Sequence, residues 1–139
     1  MSTTKSKKNL SRKAINFLTR LAEAVLADPK HYNQGSYLRT NDKGEQFGCL
    51  AFFAARLRAK TAKALTELTW GDVANTRWDV WDELGLPGAE NGGSDVMFST
   101  EYQWPEKFRR QFEQAKGPKG QARAAYNRIM HFIATDGAE

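Results

Sequence analysis

Chemistry-bearing side chains are scarce in this chain. It has one cysteine, Cys49, and two histidines, His31 and His131. One thiol cannot build an intramolecular disulfide framework, and it is compatible with a reducing compartment. Two histidines and a cysteine this far apart give no recognisable metal-ligand spacing, so neither a zinc site nor a cofactor is expected. No apolar run approaches the roughly 20 residues of a membrane span. The basic start, with Lys5, Lys7 and Lys8, is not followed by an apolar segment, so a secretory signal is not expected and a cytoplasmic location is. The chain also lacks internal repeats, heptads and low-complexity stretches.

What is present is charge sorted into blocks. Residues 1–63 carry a net charge of +9, residues 64–106 a net −8 and residues 107–139 a net +4. All four tryptophans, Trp70, Trp78, Trp81 and Trp104, fall in the acidic block. A basic surface flanking an acidic, aromatic-rich middle points to electrostatically guided binding, either of a partner or of a second copy. At 139 residues, 40% hydrophobic and 27% charged, the composition is that of one ordinary globular domain.

The periodicity predicts a mainly α fold, a single compact domain of about five helices with one small β-hairpin, preceded by a flexible basic tail over 1–9. Leu10, Ala14, Phe17, Leu18, Leu21, Ala22 and Val25 recur at helical spacing, with Ser11 as N-cap and Asp28-Pro29 as the stop. Residues 36–48 read as a hairpin around Asn41-Asp42-Lys43-Gly44, with Gly44 suited to positive φ. A second helix is expected from Gly48–Cys49 to about Lys63, burying Leu50, Phe53, Ala54 and Leu57 and turning Arg56, Lys60 and Lys63 outward as one stripe. Thr69-Trp70-Gly71-Asp72 resembles a capping box that opens a third helix running to Leu84, with Gly85 ending it. Its acidic face would be Asp72, Asp79, Asp82 and Glu83, opposite Val73, Trp81 and Leu84. Residues 87–95 read as a loop. A fourth helix begins at Pro105, buries Phe108 and Phe112, and stops at Gly117-Pro118. The last spans about Gly120–Ala134, with Ala122, Tyr126, Ile129 and Ile133 inward.

Three blocks together resemble a family of short, functionally uncharacterised proteins of bacteria and their phages. They are Pro29-Lys30-His31-Tyr32-Asn33-Gln34-Gly35-Ser36-Tyr37 followed by Gly48-Cys49-Leu50-Ala51, then Met97-Phe98 with Trp104-Pro105, then Arg128-Ile129-Met130-His131-Phe132-Ile133-Ala134-Thr135. The resemblance implies one compact, mainly helical domain and imports no activity. Relatives commonly carry a second cysteine near the first block, whereas this chain has Cys49 alone.

Enzyme signals are weak. At a helix N-terminus the macrodipole would raise the thiolate content of Cys49, and Gln34-Gly35 with Gly48-Cys49 superficially resembles papain-like proteases. That spacing is wrong by several residues, and the favoured reading is a small apolar residue packed under Phe52 and Phe53. Gly88 to Gly93 has the outline of a phosphate loop, but Ser94 stands where lysine is needed and no strand precedes it. His31 is expected to orient its turn through a backbone hydrogen bond, and His131 shares a solvated stripe with Arg123 and Asn127.

Two surfaces remain as binding candidates. An anion or nucleic-acid surface would use Lys5, Lys7, Lys8, Arg12, Lys13, Arg56, Lys60, Lys63, Arg109 and Arg110, provided folding brings these groups together. A protein-partner surface would use Trp78, Asp79, Asp82, Glu83 and Asp95. Trp78 and Trp81 lie roughly 60° apart around the helix, so they could share a broad buried face. Otherwise one of them is a surface anchor of the kind that dominates interfaces. The favoured function is a small non-enzymatic interaction protein of bacterial or phage origin that binds a host protein or itself, as an inhibitor for example. A nucleic-acid-associated protein is the alternative, and a Cys49-dependent enzyme the remote one.

Overall fold

The computed structural model describes residues 10–59, 67–86 and 104–138. Among these the chain forms five α-helices: α1 (Arg12–Ala27), α2 (Leu50–Arg58), α3 (Trp70–Glu83), α4 (Glu106–Gln114) and α5 (Pro118–Ala134). A 3-10 turn (Pro29–His31) and a two-stranded antiparallel hairpin, β1 (Arg39–Thr40) and β2 (Gln46–Phe47), lie between α1 and α2. The mainly α domain with one hairpin is thus the observed architecture. The tail over 1–9 and the loop over 87–95 lie outside the described residues.

α1 is amphipathic as its spacing requires. Ser11 caps it by accepting from the Ala14 amide, and Leu18, Leu21, Ala22 and Val25 are fully buried. It packs along α5, and the two run antiparallel, because the Leu10 amide donates to Asp136 at the far end of α5 at 3.0 Å. Asp136 sits at φ 53 in a Schellman arrangement, with the Gly137 amide reaching Phe132 O. α4 and α5 form a helical hairpin, pinned where Asn127 donates to Gln111 and where the Phe108 and His131 rings meet at 5.0 Å. Phe108 and Phe112 turn inward from α4 onto this seam, as their spacing predicts.

The third helix opens on a complete capping box. The Thr69 hydroxyl accepts from the Asp72 amide and the Asp72 carboxylate accepts from the Thr69 amide, which holds the Asp72 carboxyl below its ordinary range. It closes on a second Schellman arrangement, with Gly85 at φ 60 and the Leu86 amide bonded to Trp81 O. Val73, Val80 and Trp81 are buried against α2.

Four expectations need correction. The second helix ends at Arg58, because Ala59 is extended, short of the expected Lys63, and Lys60 and Lys63 lie outside the described residues. Pro118 opens α5 instead of only closing α4, whose last helical residue is Gln114. The inward face of α5 is Ala122, Ala125, Arg128, Ile129 and Phe132, while Tyr126 and Ile133 are half-buried. The tryptophans do not share a buried face: Trp81 and Trp104 are core residues, whereas Trp70 is 59% and Trp78 50% exposed.

Candidate functional site

The residues that look most chemical in the sequence are enclosed in one packed unit. Gly48 donates to His31 O and its own carbonyl accepts from the Asn33 amide, so residues 31–33 are stitched to the end of β2. A Cβ at Gly48 would stand 2.3 Å from Tyr37 O and 2.4 Å from Phe52 Cβ, which only glycine permits. Cys49 precedes α2 but its side chain makes no capping bond. That task passes to Gln34, 3% exposed, whose Oε1 accepts from both the Tyr32 hydroxyl (2.9 Å) and the Leu50 amide (3.3 Å).

Cys49 is 1% exposed, and burial pushes its thiol up to about 11, outweighing the backbone hydrogen bonds that favour the thiolate. The macrodipole argument for an activated thiolate therefore loses to desolvation, and the packed-residue reading holds. Neither histidine lies in a pairing with it. His31 Nδ1 meets Asp28 at 2.8 Å, its Nε2 lies 3.6 Å from Glu45, and its ring packs on Phe47. Its side chain meets the Asp28 carboxylate, and its backbone carbonyl accepts from the Gly48 amide. Among the described residues no group of three or more His, Cys, Asp or Glu could hold a metal ion.

Among the described residues, the basic groups expected to form one surface stand apart. Arg56 pairs with Asp28 at 3.3 Å and lies over the Phe52 and Phe53 rings. Arg109 and Arg110 face Glu113 and Glu106 one turn along α4, at 4.0 and 2.6 Å. Arg12 and Lys13 are exposed at the start of α1. Because Arg56 meets Asp28, just past the other end of that helix, a rise of 1.5 Å per residue separates the two sites by about 24 Å. Lys5, Lys7 and Lys8 lie outside the described residues, as does Asp95.

The outer side of α3 is different. Trp78 falls just beyond the arc that carries Val73, Val80 and Trp81, so it cannot enter the core with them. Trp70, in the first turn, meets Tyr37 edge-on at 5.3 Å. Arg77 joins the two tryptophans: its guanidinium lies 4.3 Å from the Trp78 ring centroid and 5.2 Å from that of Tyr37, and it donates to the Tyr37 hydroxyl. The result is a surface of two half-exposed indoles spaced about 12 Å along the helix and bridged by a cation and a phenol. Beside it Asp79, Asp82 and Glu83 are exposed. Arg58 crosses from α2 to Glu83 at 2.6 Å and to Asp79 at 3.8 Å, so the acidic flank is partly neutralised from within.

Trp78, Asp79, Asp82 and Glu83 were thus legible as neighbours, but Trp70, Tyr37 and Arg77 were not. One signal pointed to Arg77: it is the single basic residue between 64 and 106. No family model, curated protein or solved structure matches the chain. Among the described residues no helix is long and apolar enough to cross a membrane.

Proposed function

We propose that this is a small, non-enzymatic interaction protein of bacterial or phage origin, acting in the cytoplasm by docking the outer face of α3 onto another protein. The observation that carries this reading is the pair of exposed indoles, Trp70 and Trp78, linked by half-buried Tyr37 and Arg77. Tryptophan, tyrosine and arginine are the residue types that dominate interface energetics, because they bury large, stiff surfaces and retain a polar handle. Two tryptophans half-exposed on one helix cost the free chain apolar hydration that a partner would relieve. Asp82, with Asp79 and Glu83 beside it, selects a partner whose basic side chains flank an apolar pocket. Such a partner competes with Arg58 for Glu83, which gives the contact a switchable charge pair.

The test is affinity capture with the wild-type chain, with Trp70→Ser/Trp78→Ser, and with Arg110→Glu as a distant charge control. A specific protein, or a second copy, held by the wild type and the control but lost by the double variant supports the reading. An identical set of captured proteins from all three chains overturns it. Capture of nucleic acid that depends on salt and not on the tryptophans points to the alternative function instead.

A further inference from the structure

One concave feature is lined by no residue of α3. The 3-10 turn, the hairpin and the start of α5 enclose a cleft of about 350 Å³, within the size range of small-ligand sites. Its apolar walls are Tyr32, Phe47 and Pro118, and its cations are Lys30 and Arg39. Phe47 is fixed from behind: the His31 ring packs on it at 5.1 Å, and His31 is itself held by Asp28. One wall is therefore a preset flat surface.

The charges around the cleft are unequal in availability. Asp28 is engaged by His31 and Arg56, and Glu45 by Asn41 and His31. The low position of the Glu45 carboxyl follows from those contacts, with a small addition from Lys30. Among the described residues Lys30 and Arg39 make no ion pair, and both are exposed at the mouth. Pro118 belongs to the first turn of α5, whose N-terminus has no side-chain cap, so its positive end adds to the same field. A neutral ligand would leave two cations unused, and a bare inorganic anion would leave the aromatic wall unused.

We propose that this cleft binds a small aromatic anion: a flat ring against Phe47 and Pro118, with a phosphate or carboxylate between Lys30 and Arg39. The site is independent of the α3 surface, and neither needs the other to be real. The test is a nuclear magnetic resonance titration of the full-length, isotope-labelled chain with phenyl phosphate, benzoate, inorganic phosphate and phenol. Saturable shifts at Lys30, Asn33, Arg39, Thr40 and Phe47 are expected for at least one aryl anion. That anion should bind about tenfold more tightly than inorganic phosphate or phenol, and Arg39→Gln or Lys30→Gln should weaken it about tenfold. Whichever aryl anion binds more tightly assigns the headgroup as phosphate ester or carboxylic acid. The proposal fails if no aryl anion gives saturable shifts there, or if phosphate or phenol binds equally well. It also fails if the double Arg39→Gln/Lys30→Gln chain, folded by its spectrum, binds as the wild type does.

Discussion

The segment from His31 to Leu50 and the outer face of α3 treat their polar and aromatic groups in opposite ways. In the first, Gln34, Gly48 and Cys49 are all buried, and Gln34 and the Gly48 backbone are bonded inward, to the Tyr32 hydroxyl, the Leu50 amide, His31 O and the Asn33 amide. In the second, Trp70 and Trp78 are half in water and Arg77 lies across the Tyr37 and Trp78 rings. The residues with the most motif-like appearance are consumed in building the fold. The residues with no motif at all are left available for contact.

The comparison breaks first at Cys49 if it breaks anywhere. A thiol enclosed by the fold reacts only when the chain opens, so alkylation at mildly alkaline pH should be about a thousandfold slower than in denaturant. Fast alkylation of the folded chain would show that the segment is open. The sign of the pH effect follows from the raised value. The unfolded chain loses the thiol proton near 9.0 and the folded chain near about 11. Between those values the unfolded state binds fewer protons, so the stability is intact below pH 9 and falls as pH rises toward 11. A Cys49→Ala chain should lose that alkaline dependence. Gly48→Ala comes next: its methyl would overlap the Tyr37 carbonyl and Phe52, and a loss of about 3 kcal/mol or more is expected in urea unfolding.

Much of this architecture was legible in the chain, and the reasons are local. Ser11, the Thr69-to-Asp72 box and Gly85 act within a few residues of where they stand, so cap chemistry reads them correctly. What was not legible depends on distant partners. The early end of α2 leaves Arg58 facing Glu83, and nothing near Arg58 in sequence announces that. Trp78 and Trp81 differ only by their position on one helix, and the burial of one depends on Phe132, whose ring lies 5.7 Å from Trp81. Arg128 is not among the residues expected inward on the last helix, yet it is 2% exposed and lies over the Phe132 ring.

A smaller effect tests whether the enclosed unit is cooperative. Gln34→Leu keeps the volume but removes the acceptor of the Tyr32 hydroxyl and the Leu50 amide. A buried donor left without its partner costs about 1–3 kcal/mol, read from thermal or urea unfolding. If the change is neutral, water reaches this region and the contrast with α3 is weaker than the geometry indicates.

The smallest stability change belongs to the largest side chains. Trp70→Ser/Trp78→Ser removes two indoles that are already half-solvated, so the folded chain loses little more than the edge contact to Tyr37 and the stacking on Arg77. A cost of about 1 kcal/mol or less is expected in urea unfolding. The wild type should also show tryptophan fluorescence that acrylamide quenches in two classes, Trp70 and Trp78 readily, Trp81 and Trp104 slowly, with the double variant retaining only the slow class. A cost as large as that of Gln34→Leu would mean the α3 indoles hold the fold together, and the outer face would then have no surplus surface to offer a partner. A small cost with loss of the readily quenched class separates the two regions energetically: one whose aromatic and polar groups stabilise the chain, and one whose indoles are free to stabilise a complex.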